Sequence, residues 1–146
     1  MKRQDEFGRA FAGSQLQLQI YVNRRPNELA AAILTAINPK PPVNSTIVWV
    51  SPLESDRFTE YCDADFLRVL GLGQFTKQLS DFWPKGGPNW DGLAIVRHEG
   101  KNSGYLLIEA KSYVGEMQSS CTAKAPASLA KIGASLKQTK LKFGWA

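Results

Sequence analysis

WDGLAIVRHEGKNSGYLLIEAKSY, residues 90–113, sets an acid at the mouth of one strand and a Glu-x-Lys inside the next. Residues 91–97 read as a strand, 99–104 as a hairpin loop and 105–113 as the returning strand. Centring the hairpin between Lys101 and Asn102 puts Asp91 opposite Ser112, within one or two residues of Glu109 and Lys111 across the ladder. Strand alternation puts Glu109 and Lys111 on one face. The returning strand otherwise reads as core, with Leu106, Leu107, Ile108 and Ala110. Charges in a buried strand are costly unless they pair or bind an ion, so this break in the local pattern marks the expected functional site.

The residue types point to one chemistry. Mg²⁺ takes hard oxygen ligands and needs only one or two protein carboxylates, completing its shell with water and phosphate oxygens. Asp91 and Glu109 supply that pair, and the backbone carbonyl of Ala110 is a further candidate ligand. An ammonium such as Lys111 can hold an attacking water and offset developing charge. The expected cofactor is therefore Mg²⁺ or Mn²⁺. The structural alternative is an internal ion pair of Lys111 with Glu109 or Asp91 in a sheet without catalysis.

Asp91 followed after a hairpin by Glu109-Ala110-Lys111 resembles the PD-(D/E)XK nuclease superfamily, the restriction-endonuclease-like fold. The likeness covers roughly residues 50–143. It implies an α/β fold with a mixed central sheet flanked by helices, and hydrolysis of phosphodiester bonds, in DNA more often than RNA. It also implies that Asp91 and Glu109 hold the metal while Lys111 assists the nucleophile. Asn89-Trp90 precedes Asp91 where the family name has a proline, and Pro88 lies three residues before it. The family core runs helix, three strands, helix, strand, and this chain stops at the helix after the motif, so the resemblance implies a core truncated at its C-terminus. The superfamily often adds an acid from the helix before the sheet. Glu60 is the candidate carried forward as catalytic, with Asp65 favoured by periodicity as the buried acid and Glu54 explained as a cap. The runner-up function is a non-catalytic nucleic-acid- or protein-binding relative of the same fold, and a small protein-binding domain with solvated lysines stands behind it.

Upstream, Gln15, Gln17 and Gln19 alternate with Leu16, Leu18 and Ile20, the period of a half-buried strand, extended by Tyr21 and Val22. Pro26 and Glu28 open an apolar stretch that reads as a buried helix ending at Asn38-Pro39. After the linker NPKPPVN, residues 46–50 read as a short buried strand. Ser51-Pro52-Leu53-Glu54 reads as a capping box opening a helix to about Leu70, with Gly71 as its stop. Residues 74–83 form a second helical stretch and PKGGPN a turn-rich segment. The expected organisation is one α/β domain over 1–146, with a strand-helix extension over 1–45 and a nuclease-like core over 46–146.

Downstream, residues 127–143 read as a helix with Leu129, Ile132, Leu136 and Phe143 as its packing stripe. The net charge of +5 is segregated: residues 1–116 hold 13 basic and 13 acidic side chains, so the excess is Lys124, Lys131, Lys137, Lys140 and Lys142. Lys131 and Lys142 fall opposite the stripe, and together with Lys124 they are the expected phosphate contacts. Gln138 and the rings of Trp83 and Trp90 are minor candidates for substrate contact, although surface and core roles are commoner. Glu116, seven residues past Glu109, is a candidate further ligand but reads more readily as a loop charge, and His98 as a surface residue.

At 146 residues, with 43% hydrophobic and 21% charged side chains, the chain has the composition of a folded soluble domain. Its longest apolar stretch falls far short of the ~20 residues that span a bilayer. The opening MKRQDEFGRAFAGSQ mixes acids with bases and lacks an apolar run, so it does not read as a secretory signal, and the expected location is the cytoplasm. Cys62 and Cys121 form no CxxC pair, and His98 is the only histidine, which excludes zinc ribbons and His-rich metal centres. The expected partner is nucleic acid, without a membrane, and the oligomeric state stays open, a homodimer included.

Overall fold

The computed structural model describes residues 4–118 and 121–144. Its helices are α1 (Gly13–Arg24), α2 (Pro26–Ala36), α3 (Asp63–Val69), α4 (Thr76–Phe82) and α5 (Pro126–Lys142). Its strands are β1 (Thr46–Ser51), β2 (Tyr61–Cys62), β3 (Asn89–Trp90), β4 (Gly92–His98) and β5 (Lys101–Ile108). The chain divides into two compact units, Met1–Tyr61 with Trp90–Met117, and Cys62–Asn89 with Gln118–Ala146. Helices and sheet are both present, as expected, but the sheet of the first unit is a small antiparallel one and not a mixed one.

In the first unit β4 is the central strand, in the order β1-β4-β5, and Leu93, Ala94, Ile95 and Val96 along it are all buried. Its run of apolar residues is what a strand covered on both faces requires. β1 matches its expected span to within a residue. The β4–β5 hairpin closes on a two-residue turn, Glu99 at φ 49° and Gly100 at φ 75°, the left-handed pair that fits the twist of a tight hairpin. This turn lies earlier than the sequence reading had it. Gly92 therefore faces Ile108, and Asp91 comes beside Glu109 and Ala110 instead of Ser112. The returning strand also ends at Ile108, five residues short of expectation.

Residues 15–22, expected as a strand, lie inside α1. Leu and Gln are strong helix formers, and the buried face is Leu18, Gln19 and Val22, so a polar residue sits where the apolar stripe should run. Leu18 covers the start of β4: a Cβ on Gly92 would lie 3.2 Å from Leu18 Cδ2. α2 forms where expected, with Pro26 in its first turn, but none of its residues is buried, contrary to the reading of a buried helix.

The expected long helix from Ser51 to Leu70 is broken. Ser51 ends β1, only a 3₁₀ turn follows at Glu54–Asp56, and Arg57 and Phe58 take left-handed φ angles of 52° and 54°. Ser51 caps nothing; the Glu54 N–H is satisfied by Asn23 Oδ1 of α1 at 2.7 Å, a bond from a residue 31 positions away. In the second unit α3 does end as expected at Gly71, whose φ is 74°, with the Leu72 N–H donating to the Leu67 carbonyl.

α5 spans its expected residues, but its packed face is not the expected one. Ser135 is buried and its hydroxyl donates to the Phe82 carbonyl, whereas Leu129 and Leu136 are 45% and 54% exposed. Lys131, expected opposite the packed face, is half-buried on it and donates from Nζ to the Ser80 carbonyl at 3.0 Å. Asp63 accepts the N–H groups of Gly86 and Gly87 at 3.0 and 3.1 Å, which fixes the PKGGPN turn.

Candidate functional site

Asp91 stands at the entry to β4, and Glu109, Ala110 and Lys111 follow the end of β5, so the hairpin delivers all four to one end of the sheet. The Ala110 N–H donates to Asp91 Oδ2 at 2.7 Å. The Lys111 ammonium pairs with Glu109 Oε1. Asp91, Glu109, Ala110 and Lys111 do lie together, as the hairpin predicts, but not in a buried strand: the Glu109 and Lys111 side chains are 50% and 35% exposed, in a loop beyond the strand.

Burial pushes the Asp91 carboxyl above its ordinary value. The Ala110 N–H pulls it back, Glu109 raises it, Lys111 lowers it and Glu116 raises it. Lys111 is raised in turn, first by its hydrogen bond to Glu109. Three carboxylates, those of Asp91, Glu109 and Glu116, therefore act on a patch that holds one ammonium.

Glu116, seven residues past Glu109, is expected either as a further ligand or, more commonly, as a loop charge. A 3₁₀ turn at Val114–Met117 folds it back so that Oε2 accepts the Ser112 N–H at 2.6 Å. Its spacing of seven residues from Glu109 was the only available signal. The three helix candidates lie elsewhere. Glu60 is not on a helix but just before β2, half-buried, accepting a hydrogen bond from Gln15 of α1. Asp65 is exposed and pairs with Arg68 in α3, contrary to the expectation of a buried acid. Glu54 pairs with Arg9 at 3.1 Å and Arg24 at 2.8 Å and caps no helix.

Among the described residues no group of three or more His, Cys, Asp or Glu is arranged to hold a metal ion. A cation here would rest on the two carboxylates of Asp91 and Glu109, an all-oxygen pair that suits Mg²⁺ or Mn²⁺ and leaves most of the shell to water and substrate. Its entry would displace Lys111 from Glu109. Ala110 is tied to Asp91 through its N–H.

A groove of about 590 Å³ adjoins this loop, lined by Gly13, Ser14, Gln17 and Tyr21 from α1 and by Ala110 and Lys111. Its wall holds the Tyr21 ring, with the Arg25 guanidinium 5.4 Å from the ring centre, and the Lys111 ammonium that pairs with Glu109. The expected phosphate contacts Lys124, Lys131 and Lys142 all belong to the second unit. Lys124 and Lys142 are exposed there, and Lys142 lines a groove with Gln138. Trp83 and Trp90 are half-buried, His98 is half-buried beside Glu99, and Cys62 and Cys121 are free thiols. Among the described residues no helix is long and apolar enough to cross a membrane. The chain matches no family model, no curated protein and no solved structure.

Proposed function

We propose that the first unit hydrolyses phosphodiester bonds in nucleic acid, DNA foremost, in a Mg²⁺- or Mn²⁺-dependent reaction at Asp91, Glu109 and Lys111. The observation that carries this reading is the convergence of a half-buried Asp91 carboxylate, held by the Ala110 N–H, with the Glu109–Lys111 pair at one end of the hairpin.

In this reading the divalent ion, when bound, polarises the scissile phosphate and lowers the pKa of a bound water. Asp91 and Glu109 orient it, and the Ala110 N–H fixes the rotamer of Asp91 so that the carboxylate is set before substrate arrives. Lys111, freed from Glu109, faces the groove and offsets charge on the non-bridging phosphate oxygens. Tyr21 and Gln17 of α1 line the path of the strand.

The existing Glu109–Lys111 ion pair favours a second reading, a non-catalytic nucleic-acid- or protein-binding relative in which the pair is structural. Titration calorimetry with Mg²⁺ and Mn²⁺, paired with nicking of supercoiled plasmid, separates the two. The expected result is metal binding and nicking by wild type, with Asp91→Asn, Glu109→Gln and Lys111→Met losing about 10²-fold or more in rate while staying folded. A wild-type protein that neither binds metal nor nicks, with Glu109→Gln merely lowering Tm, makes the cluster structural.

A further inference from the structure

The outer edge of β5 is left unused by the hydrolysis reading. Among the described residues β5 has β4 on one side and no strand on the other, and no loop or side chain hydrogen-bonds to its outer backbone. A bare edge of this kind is a template for another strand, and natural sheets block it with charge, proline or a cover. Residues 104–108 carry none of these. They are also the regular part of β5, because the shift in pairing lies nearer the turn, between Val96 and Arg97. Along them Gly104, Leu106 and Ile108 are half-buried, while Tyr105 and Leu107 stand out, 39% and 44% exposed.

The two ends of the hairpin carry opposite charge. At the turn end Arg97 and Lys101 stand against Glu99; at the other end Asp91, Glu109 and Glu116 stand against Lys111. An antiparallel copy of the same edge sets each turn end beside the acidic end of the other molecule, twice over, as a two-fold contact requires. A parallel copy would set like ends together. β1, the other edge strand, is TIVWVS and offers no charge to fix a partner's direction.

We propose that β5 pairs antiparallel with β5 of a second copy about a two-fold axis at Leu106, joining two three-stranded sheets into one of six strands. In this register Tyr105 of each copy faces Leu107 of the other, Gly104 faces Ile108, and main-chain hydrogen bonds run the length of the shared edge. The pairing is independent of any hydrolytic activity, since neither Tyr105 nor Leu107 belongs to the site.

Sedimentation equilibrium over a wide concentration range tests it on the full chain with two double variants. Tyr105→Lys with Leu107→Lys sets like charges opposite each other, and the apparent mass should halve to that of one chain. Tyr105→Lys with Leu107→Glu sets opposite charges opposite each other and should restore the dimer. Both positions are exposed, so circular dichroism and Tm should match wild type. A wild type that stays monomeric up to its solubility limit overturns the proposal, whatever other strand the edge accepts, and so does a dimer that survives the Lys/Lys variant or a Lys/Glu variant as monomeric as Lys/Lys.

Discussion

Asp91 shows how burial and neighbouring charge act on one carboxyl. Burial raises its pKa above the ordinary 3.8, and Glu109 and Glu116 add to that while the Ala110 N–H and Lys111 oppose it. A carboxyl whose folded pKa is raised binds more protons in the native than in the unfolded chain between the two values, so stability falls as pH rises through that window. Its favourable contribution is complete below the unfolded value and gone above the folded one. Asn keeps the shape and the acceptor for Ala110 but removes the charge. In the presence of a chelator, the Tm of Asp91→Asn relative to wild type should therefore rise as pH is taken from below 3.8 to neutrality. Because the group is only half-buried, solvent screening keeps the effect modest. A difference that stays flat or shrinks with pH means that the carboxyl is not penalised. The sequence was informative at this scale: an acid and a Glu-x-Lys flanking one hairpin fall within a few residues of each other across the ladder, and the turn decides which of them is the neighbour. Glu116 was not legible, because its place depends on a 3₁₀ turn that folds it back onto Ser112.

At the scale of elements, local pattern and tertiary contact disagree in two places. α1 looked like a strand because Leu16, Leu18 and Ile20 alternate with glutamines, but only Leu18 of those three is buried. Gln19 takes the neighbouring buried position for a reason invisible in the pattern: its Oε1 accepts the Ala10 N–H at 2.9 Å and its Nε2 donates to the Gly8 carbonyl at 3.1 Å. This one side chain ties the N-terminal loop to the helix. Gln19→Leu adds apolar bulk of similar size but leaves both backbone groups unsatisfied, and an orphaned buried group costs about 1–3 kcal/mol. The expected result is a fall of that order in urea-derived stability, with the Ala10 amide losing its exchange protection. A neutral substitution assigns those bonds to water. The misplaced helix over 51–70 has the same origin, since the Glu54 N–H donates to Asn23 Oδ1 of α1 and the left-handed Arg57 lies against the N-terminal loop. Gly8 shows how close that contact is: a Cβ there would stand 2.0 Å from the Arg57 carbonyl oxygen. Helices α2 and α5 and strand β1 were legible because proline at the first turn and a bounded apolar run act locally.

For the whole molecule, the surplus charge is confined to the last thirty residues, while the candidate site lies in the neutral remainder. Chain order hides that residues 62–89 and 118–146 form one unit, held in part by Ser135 on the Phe82 carbonyl and Lys131 on the Ser80 carbonyl. The five lysines are consequently not equivalent. Lys124 and Lys142 are exposed and available to phosphates, whereas the Lys131 ammonium is engaged with its own unit. If the proposed substrate is duplex DNA, each phosphate contact contributes about 0.9 to the slope of log affinity against log salt. Lys124→Ala and Lys142→Ala should each flatten that slope by about this amount, measured by fluorescence anisotropy on a labelled duplex. Lys131→Ala should leave the slope near wild type and lower Tm instead, because it removes a bond between α5 and the residue before Asp81. Equal slopes for all four proteins would take the second unit out of binding and leave the groove beside Lys111 as the surface that meets nucleic acid. A flattening by Lys131→Ala as large as by the other two would mean that the Ser80 contact is given up when DNA binds.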